Sequence, residues 1–283
     1  MEFLAILVAW AAVQFWGSGG NIQQDGWLRR VYGFFAWAPG PQWQLGLTVL
    51  APVLGVLLVL GLLDDFLFHI PAFAIAVAVL LYSLGRGDFQ ILLRLYLNSW
   101  QRGDLEGAYQ HARGFSCEVG GMESDNALQL HNNVRKAATY QGFERWFAVV
   151  FWFVLAGPAL ALGYRLLFIL LREPYLSQAE RDTCNRALYF MEWLPARLLA
   201  LAFVLVGNFD RGVAGFKAAA DMEGSAEFLD QVAAASISAT VPEGQVDGEH
   251  FVAAAAEQLE CVQQLLSRSL LCWVFFIAML QLV

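Results

Sequence analysis

The chain has 283 residues and a formal net charge of −8, and 58% of its residues are hydrophobic while only 15% carry charge. A soluble domain is about half apolar and about a quarter charged, so this composition excludes a disordered chain, a collagen-like chain and an ordinary cytosolic enzyme. Residues 45–63 include no charged side chain and are numerous enough to cross a bilayer. Because no segment shows the alternation of a strand, we predict an all-α integral membrane protein.

Six apolar blocks are candidates for membrane-spanning helices. They occupy residues 1–16, 45–63, 70–84, 147–171, 194–206 and 266–283. A helix needs about 20 residues to cross the hydrocarbon core, so the second, fourth and sixth blocks suffice and the others are short. We predict one polytopic membrane domain over residues 1–283 with five to six transmembrane helices. Asp64, Asp65 and Pro71 would turn the second and third blocks into a helical hairpin.

The distribution of Lys and Arg predicts the orientation of these spans. With six spans, twelve basic residues, Arg29 and Arg30 among them, fall on one side, and only Arg172, Arg181 and Arg186 fall on the other. Basic residues favour the cytoplasmic side. We therefore predict a multi-pass protein of the bacterial inner membrane with both termini outside and with connections 85–146 and 207–264 in the cytoplasm. A five-span model divides the basic residues more evenly.

The two cytoplasmic connections are predicted to be helical. Asp88 is a good N-cap for an amphipathic helix that Gly103 ends, and Asp104 would cap a second short helix. A third helix would run into the fourth apolar block, with Gly142 as its weak point. From Glu249 onward neither Gly nor Pro interrupts the chain, so one long helix would reach the last span.

Charge and residue spacing also limit the partners. Connection 207–264 holds ten acidic residues against Arg211 and Lys217, and such a surface repels phosphate, so nucleic acid and anionic lipid headgroups are predicted to be poor partners for this connection. The four cysteines and four histidines show no zinc spacing, so neither a metal nor a cofactor is predicted. The predicted partners are the lipid bilayer, a cytoplasmic or membrane protein, and a small anionic ligand.

Two arginines within or beside apolar blocks are the strongest site candidates. An arginine at the bilayer centre costs about 2.5 to 3.5 kcal/mol on insertion scales, so Arg165 and Arg197 need a partner or a route to the interface. In one alternative both lie at interfaces and only reach the headgroups, with Pro195 in the first turn of the fifth helix. In the other they hold a carboxylate or phosphate between helices, with Glu192 and Glu144 as counter-charges.

Several short motifs in this part of the chain resemble a known membrane superfamily. It joins the cobinamide synthases of cobalamin biosynthesis and the AmpE proteins. The motifs are Phe151-Trp152-Phe153, Gly157-Pro158, Tyr164-Arg165 and the run from Glu192-Trp193-Leu194-Pro195-Ala196-Arg197 to Leu201. Chain length and a final span at the carboxyl terminus look like AmpE. The resemblance makes Tyr164, Arg165, Glu192 and Arg197, together with Glu144, the ligand-binding candidates.

The departures from the synthase branch favour AmpE. That branch follows its Tyr-Arg pair with a polar Asn-Thr-x-Asp run, where this chain has only apolar residues, 168–171. Its paired aspartates fall here on Leu188 and Tyr189. The resemblance therefore implies a regulatory signalling role linked to cell-wall recycling and β-lactamase induction, but it supplies no biochemical activity. The missing carboxylates favour a protein that is not an enzyme. The alternative is an ATP-dependent amide ligase of the cobinamide-synthase type with an altered site.

Overall fold

The computed structural model describes residues 2–16, 23–63, 69–85, 89–115, 126–241 and 249–280. Helices account for nearly all of this part of the chain, and it includes no strand, which confirms the all-α fold class. Twelve α-helices follow one another in the described residues. They are α1 Glu2–Trp16, α2 Gly26–Phe34, α3 Pro41–Leu63, α4 Ile70–Ser83, α5 Phe89–Gln101, α6 Leu105–Ala112, α7 Ala127–Gly142, α8 Ala148–Arg172, α9 Gln178–Val206, α10 Phe209–Ala219, α11 Ser225–Ser236 and α12 Glu249–Leu280.

Four helical stretches are long and apolar enough to cross a membrane. They are Pro41–Leu63, Ala127–Arg172, Gln178–Val206 and His250–Met279, and two shorter apolar helices are Phe3–Val13 and Ile70–Ser83. Ala127–Arg172 contains 46 residues, which at a rise of 1.5 Å per residue is about twice the ~30 Å core. Its apolar part begins near residue 147, so α7 belongs to the polar connection before it. The predicted membrane character is confirmed.

The chain folds into two compact units. Unit 1 comprises Met1–Gly87 and Arg145–Glu192, and unit 2 comprises Asp88–Glu144 and Trp193–Val283. In unit 1, α3 and α4 pack against α8, and α1 packs against α4. An apolar cluster of α2, α3 and α8 side chains, with Leu28 and Leu166 fully buried, forms the core there.

Local capping in unit 1 determines where α8 ends and α9 begins. The Arg181 guanidinium donates to the carbonyl oxygens of Leu171 and Glu173 at 2.7 and 2.6 Å, which satisfies groups at the end of α8 that have no intrahelical donor. Ser177 and Glu180 form a reciprocal capping box at the start of α9, in which the Ser177 N–H donates to the Glu180 carboxylate at 2.9 Å. The sharp turn between these helices is therefore encoded locally.

Unit 2 has its own core, built from α5, α6, α7 and α12. Its largest members are Trp100, Tyr96, Phe115 and Phe251, and all four are fully buried. Two predicted helix signals of the first connection are confirmed here. Gly103 has a φ of +73° between α5 and α6, and the Asp104 carboxylate accepts from the N–H of Gly107 at 2.9 Å.

Other predictions about the connections have mixed outcomes. The predicted helix from Glu249 into the last apolar block is confirmed as α12. The weak point at Gly142 is also confirmed, because the α-helix gives way to a π-helical turn, Phe143–Phe147, immediately after it. Asp64, Asp65 and Asp88 lie outside the described residues, whereas Pro71 occupies the first turn of α4 as expected.

The fourth apolar block is not one continuous helix. Ala156 (φ −140°, ψ 15°) and Gly157 (φ +78°, ψ −179°) leave the helical conformation, and Pro158 follows them. Proline has no N–H to donate and excludes the helical conformation from the preceding residue, and glycine adopts a positive φ without strain. Residues 147–171, predicted to be one span, stay within a candidate span, and α8 consists of two helical parts that meet at this break.

The interpretation of Pro195 as a first-turn residue is wrong. α9 begins at Gln178, so Pro195 lies in its eighteenth position, in the middle of the helix. The apolar block 194–206 is therefore the second half of a 29-residue helix rather than a short helix of its own. A proline is tolerated there only if the carbonyl four residues earlier finds another donor.

The predicted position of Arg29 is also wrong. The sequence analysis put Arg29 on the side opposite Arg172 and Arg181, but the Tyr32 hydroxyl donates to Glu180 at 2.8 Å and the Arg29 guanidinium lies 5.9 Å from the centre of the Tyr175 ring. The segment around α2 therefore lies beside the turn between α8 and α9. Burial and the bond to Glu180 raise the pKa of Tyr32 to about 12.

Candidate functional site

A tryptophan on α8 compensates the proline in α9. Pro195 has no N–H, so the carbonyl oxygen of Met191, four residues earlier, lacks its usual helical donor. The indole Nε1–H of Trp152 donates to that oxygen at 3.1 Å. An unsatisfied carbonyl in an apolar environment costs about 1 to 3 kcal/mol, so this bond stabilises the irregular helix where it is weakest.

A buried phenol and a buried carboxylate meet one residue further along α9. The Tyr164 hydroxyl donates to the Glu192 carboxylate at 3.0 Å, and Glu192 is only 4% exposed. Trp152 and Tyr164 lie on opposite sides of the α8 break, yet they reach consecutive residues of α9. The break therefore brings two polar side chains of α8 to the same turn of α9.

Arg165 lies next to this pair in the sequence and is buried as well. Its side chain is 1% exposed, and its guanidinium lies 5.4 Å from the centre of the Phe168 ring. Arg172 approaches the same ring at 4.3 Å. An arginine this deeply enclosed does not reach headgroups through a flexible stem. For Arg165, the structure thus contradicts the interface alternative.

Glu144 is the candidate that belongs to unit 2. It is 1% exposed and lies in the π-helical turn that follows α7. Single π-helical turns occur frequently at functional sites, because the extra residue changes the direction of the side chains. The proposed role of Glu144 as a counter-charge to an arginine stays a prediction.

Arg197 has an environment different from that of Arg165. Its guanidinium lies 4.3 Å from the centre of the Trp193 ring and 4.9 Å from that of Phe228, and one N–H donates to the Trp193 carbonyl at 3.3 Å. The side chain is half-buried. Within the described part of the chain, no carboxylate contributes to its contacts. Glu192, five residues earlier on α9, has a different partner, the Tyr164 hydroxyl.

The described residues include no group of three or more His, Cys, Asp or Glu side chains placed to hold a metal ion. A family model described as "Regulatory signalling modulator protein AmpE" matches residues 1–271. The chain belongs to the AmpE family.

A relative from Shigella flexneri named "Protein AmpE" is similar to the AmpE-family chain. The two are 23% identical over 177 residues, which cover 60% of this chain and 62% of the relative. Because the match spans less than two thirds of that relative, its partners and activity carry over only as proposals. No solved structure matches the chain. The predicted AmpE family is confirmed, whereas the similarity to cobinamide synthases stays a prediction.

The motifs that carried the AmpE resemblance are paired in the structure. Trp152 supports the helix that contains Pro195, and Tyr164 binds Glu192. Glu192 belongs to the long motif of α9, and Met191, whose carbonyl oxygen Trp152 binds, immediately precedes that motif. The motif residues therefore form one polar junction, which sequence spacing alone does not show.

The sequence analysis missed a second polar cluster, which lies in unit 2. Arg135 donates to both carboxylate oxygens of Asp230 at 2.9 and 3.0 Å, and to the side-chain oxygens of Asn132 and Gln258, each at 3.1 Å. Lys136 binds Glu227 at 3.1 Å. The adjacent basic pair and the acidic pair at i, i+3 are visible in the sequence. Their contact across α7 and α11 is not.

His131 extends this cluster into the core of unit 2. Its Nε2 lies 2.7 Å from the Gln258 side-chain oxygen, which can only accept, so the ring nitrogen carries the proton there. Burial lowers the pKa of His131 to about 4, with Arg135 acting in the same direction, while the bond to Gln258 acts in the opposite direction. His131 is therefore a neutral core residue at ordinary pH.

Proposed function

We propose that this AmpE-family protein is a regulatory signalling protein of the bacterial inner membrane, linked to cell-wall recycling and β-lactamase induction. We further propose that it responds to an anionic ligand or a protein partner through the polar junction of α8 and α9. Family membership supports the signalling role, and the long apolar helices support the membrane location.

The observation that carries the proposal is the buried Tyr164–Glu192 pair beside Arg165. Ionisable groups are expensive to place within membrane helices and are mostly functional when they occur there. The neighbouring backbone leaves the helical conformation at Gly157 in α8, and α9 contains Pro195 in its interior. A break and an interior proline lower the cost of an alternative helix conformation, which suits a response to a ligand.

The test is complementation in a bacterium that carries an inducible chromosomal β-lactamase and lacks its own AmpE. We expect the wild-type chain to restore the induction phenotype. We expect Tyr164→Phe and Glu192→Gln to lose it while their membrane levels stay normal. Tyr164→Phe removes the hydroxyl donor, Glu192→Gln removes the negative charge that strengthens the bond, and neither variant changes the side-chain volume much.

Tyr189→Phe is the matched control for these variants. Tyr189 lies on the same helix, is exposed, and also loses only a hydroxyl group. We expect this control to keep full function. Normal induction by both Tyr164→Phe and Glu192→Gln would refute the role of the pair, and failure of the wild-type chain would refute the proposed signalling role itself.

Nucleotide binding distinguishes this proposal from the ligase alternative. A ligase must neutralise the triphosphate, which usually requires magnesium held by carboxylates. We expect detergent-purified protein to show no tight ATP binding with or without Mg²⁺. Tight, magnesium-dependent binding would favour the ligase instead.

We also propose that connections 85–146 and 207–264 are cytoplasmic and that both termini lie outside. Seven Lys and Arg residues in the first connection, with Arg211 and Lys217 in the second, support this orientation. Cysteines placed at Glu118 and Gln245, which lie outside the described residues, should be labelled only from the cytoplasm. Labelling of either from the periplasm would contradict this topology.

A further inference from the structure

The environment of Arg197 points to a ligand of opposite charge. A guanidinium has five N–H donors, and only one long bond, to the Trp193 carbonyl, uses them among its contacts in the described residues. The Trp193 and Phe228 rings contact the guanidinium without offering it an oxygen acceptor, so most of its N–H donors have no acceptor among the described residues. The N–H donors of the Arg197 guanidinium can therefore bind an acceptor from outside the chain.

The acidic residues beside Phe228 in the sequence of α11 already bind basic residues. Glu227 and Asp230 flank Phe228, and they bind Lys136 and Arg135 respectively. The charge of Arg197 is therefore not neutralised by these two carboxylates of connection 207–264. A phosphate that binds Arg197 meets a positive charge, and the carboxylates nearby are paired with Arg135 and Lys136.

A hydrogen bond joins the end of α11 to the residue that follows Gly207 after α9, and it helps to hold Phe228 near Arg197. The Asn208 N–H, just after α9, donates to the carbonyl oxygen of Ser236 at the end of α11, at 2.8 Å. Phe228, two turns earlier on α11, contacts the Arg197 guanidinium. Phe216 on α10 meets Phe228 edge to face at 5.5 Å. Residues of α9, α10 and α11 therefore together determine the position of Phe228.

An exposed apolar stripe begins next to Arg197 on the same helix. It follows the spacing of one helical face, and its members are Leu194, Leu198, Leu201 and Leu205. Leu194 and Leu201 stand three residues before and four residues after Arg197, so they are its neighbours on the helix surface. Trp193, on the other side of the arginine, is 45% exposed. Tryptophan is enriched where a membrane meets water.

We propose that Arg197, Trp193 and the stripe from Leu194 to Leu205 form a binding site for a lipid that carries a phosphate headgroup. The guanidinium edge binds the phosphate in two-pronged fashion, and the leucines contact the hydrocarbon chain. This inference deepens the proposed function, because it identifies the anionic ligand read by one of the candidate residues. Arg165, in contrast, is too deeply buried to take part.

The test uses the full-length protein in detergent and native mass spectrometry. The probes are phosphatidic acid, phosphatidylcholine and inorganic phosphate. We expect phosphatidic acid to be retained, phosphatidylcholine to bind more weakly because its cationic choline opposes the arginine, and inorganic phosphate not to compete at similar concentrations. Full competition by inorganic phosphate would show a free-phosphate site and overturn the lipid proposal.

Four variants separate charge, geometry and apolar contact. We expect Arg197→Gln to weaken phosphatidic acid binding about tenfold and Arg197→Lys to weaken it by a smaller factor, because lysine keeps the charge and loses the planar fork. Leu201→Asn should weaken it with the arginine intact. Arg211→Gln is the matched control, since it removes an exposed positive charge from the same unit, and it should bind like wild type.

Equal losses of phosphatidic acid binding in Arg211→Gln and Arg197→Gln would show non-specific electrostatic attraction and overturn the site. Unchanged phosphatidic acid binding by Arg197→Gln would also overturn it. If Arg197→Gln unfolds, Arg197→Lys and Leu201→Asn still test the two halves of the site. Lipid retention is measured without the induction phenotype, so a failed complementation refutes the proposed function and leaves the lipid site standing, and the reverse also holds.

Discussion

Buried polar side chains have different surroundings in the two units. In unit 2, Arg135 binds Asp230, Asn132 and Gln258, and the helices that carry these residues are regular. In unit 1, the Tyr164–Glu192 pair lies where α8 is broken and where α9 contains a proline. A fully hydrogen-bonded network between regular helices makes the fold rigid. A polar pair beside a break in a helix allows the conformation to change.

This contrast assigns stability to the Arg135 network and signalling to the junction of α8 and α9. If it is correct, changes in the unit 2 network lower the free energy of unfolding, and signalling falls only as the protein is lost. Changes at the junction of α8 and α9 reduce signalling at normal protein levels. The predictions below test each half of this statement.

The largest effect is expected for Arg135→Ala. The change leaves the Asp230 carboxylate, whose side chain is 15% exposed, without its partner. Breaking a largely buried ion pair on one side typically costs about 3 kcal/mol. We expect a loss of this size in urea or thermal unfolding of the detergent-purified protein. The double variant with Asp230→Ala should recover part of it, and equal losses in both variants would contradict the ion pair.

The next effect is a loss of stability in acid that depends on His131. The pKa of this histidine is lowered from 6.5 to about 4 in the folded protein, so its contribution is present above pH 6.5 and is lost as the pH falls towards 4. At pH 5 the loss should be about 2 kcal/mol. We expect His131→Gln to show a smaller decline than wild type between pH 7 and pH 5. Parallel declines would exclude a role for His131.

A smaller effect tests the support of Pro195 by Trp152. Trp152→Phe removes the donor to the Met191 carbonyl and should cost about 1 to 2 kcal/mol. Pro195→Ala restores an N–H in α9 that can reach the same oxygen. The tryptophan change should therefore cost less in the Pro195→Ala background. Additive effects in this double-mutant cycle would show that the two residues are independent.

The smallest effect compares two glycines of the α7–α8 segment. Gly157 has a φ of +78°, so Gly157→Ala should cost about 1 kcal/mol or more, although nothing lies within 4 Å of the added methyl group. At Gly142 the added carbon would meet Leu266 at 2.9 Å, and that flexible side chain can move. We expect thermal unfolding to show the smaller loss for Gly142→Ala. The opposite order would mean that α8 is not broken at Gly157.

Much of the fold was predictable because its signals are local. The apolar blocks, the Asp104 cap and the uninterrupted helix from Glu249 each depend on neighbouring residues, and the structure contains all three. Arg29 was misplaced because counting basic residues assumes that each block crosses once and that nothing folds back. The bond between Tyr32 and Glu180 joins residues 148 positions apart, and no local signal encodes it.

The sequence predicted which residues belong to the candidate site but not how they contact one another. The motifs identified Tyr164, Arg165, Glu192 and Arg197, but they did not show which of these pair. Pro195 was expected at a helix end, because a proline normally costs an interior hydrogen bond. The indole of Trp152, 43 positions earlier in the chain, supplies the missing donor.

By itself the sequence determined that this is an all-α membrane protein of the AmpE family, since hydrophobic length, composition and short motifs are properties of neighbouring residues. Only the tertiary structure decided that Tyr164 binds Glu192, that Arg135 binds Asp230 and that Arg197 lies between two aromatic rings. The physical reason is that a buried polar group must find its partner in space. Partners on different helices are chosen by packing, which the order of residues along the chain does not reveal.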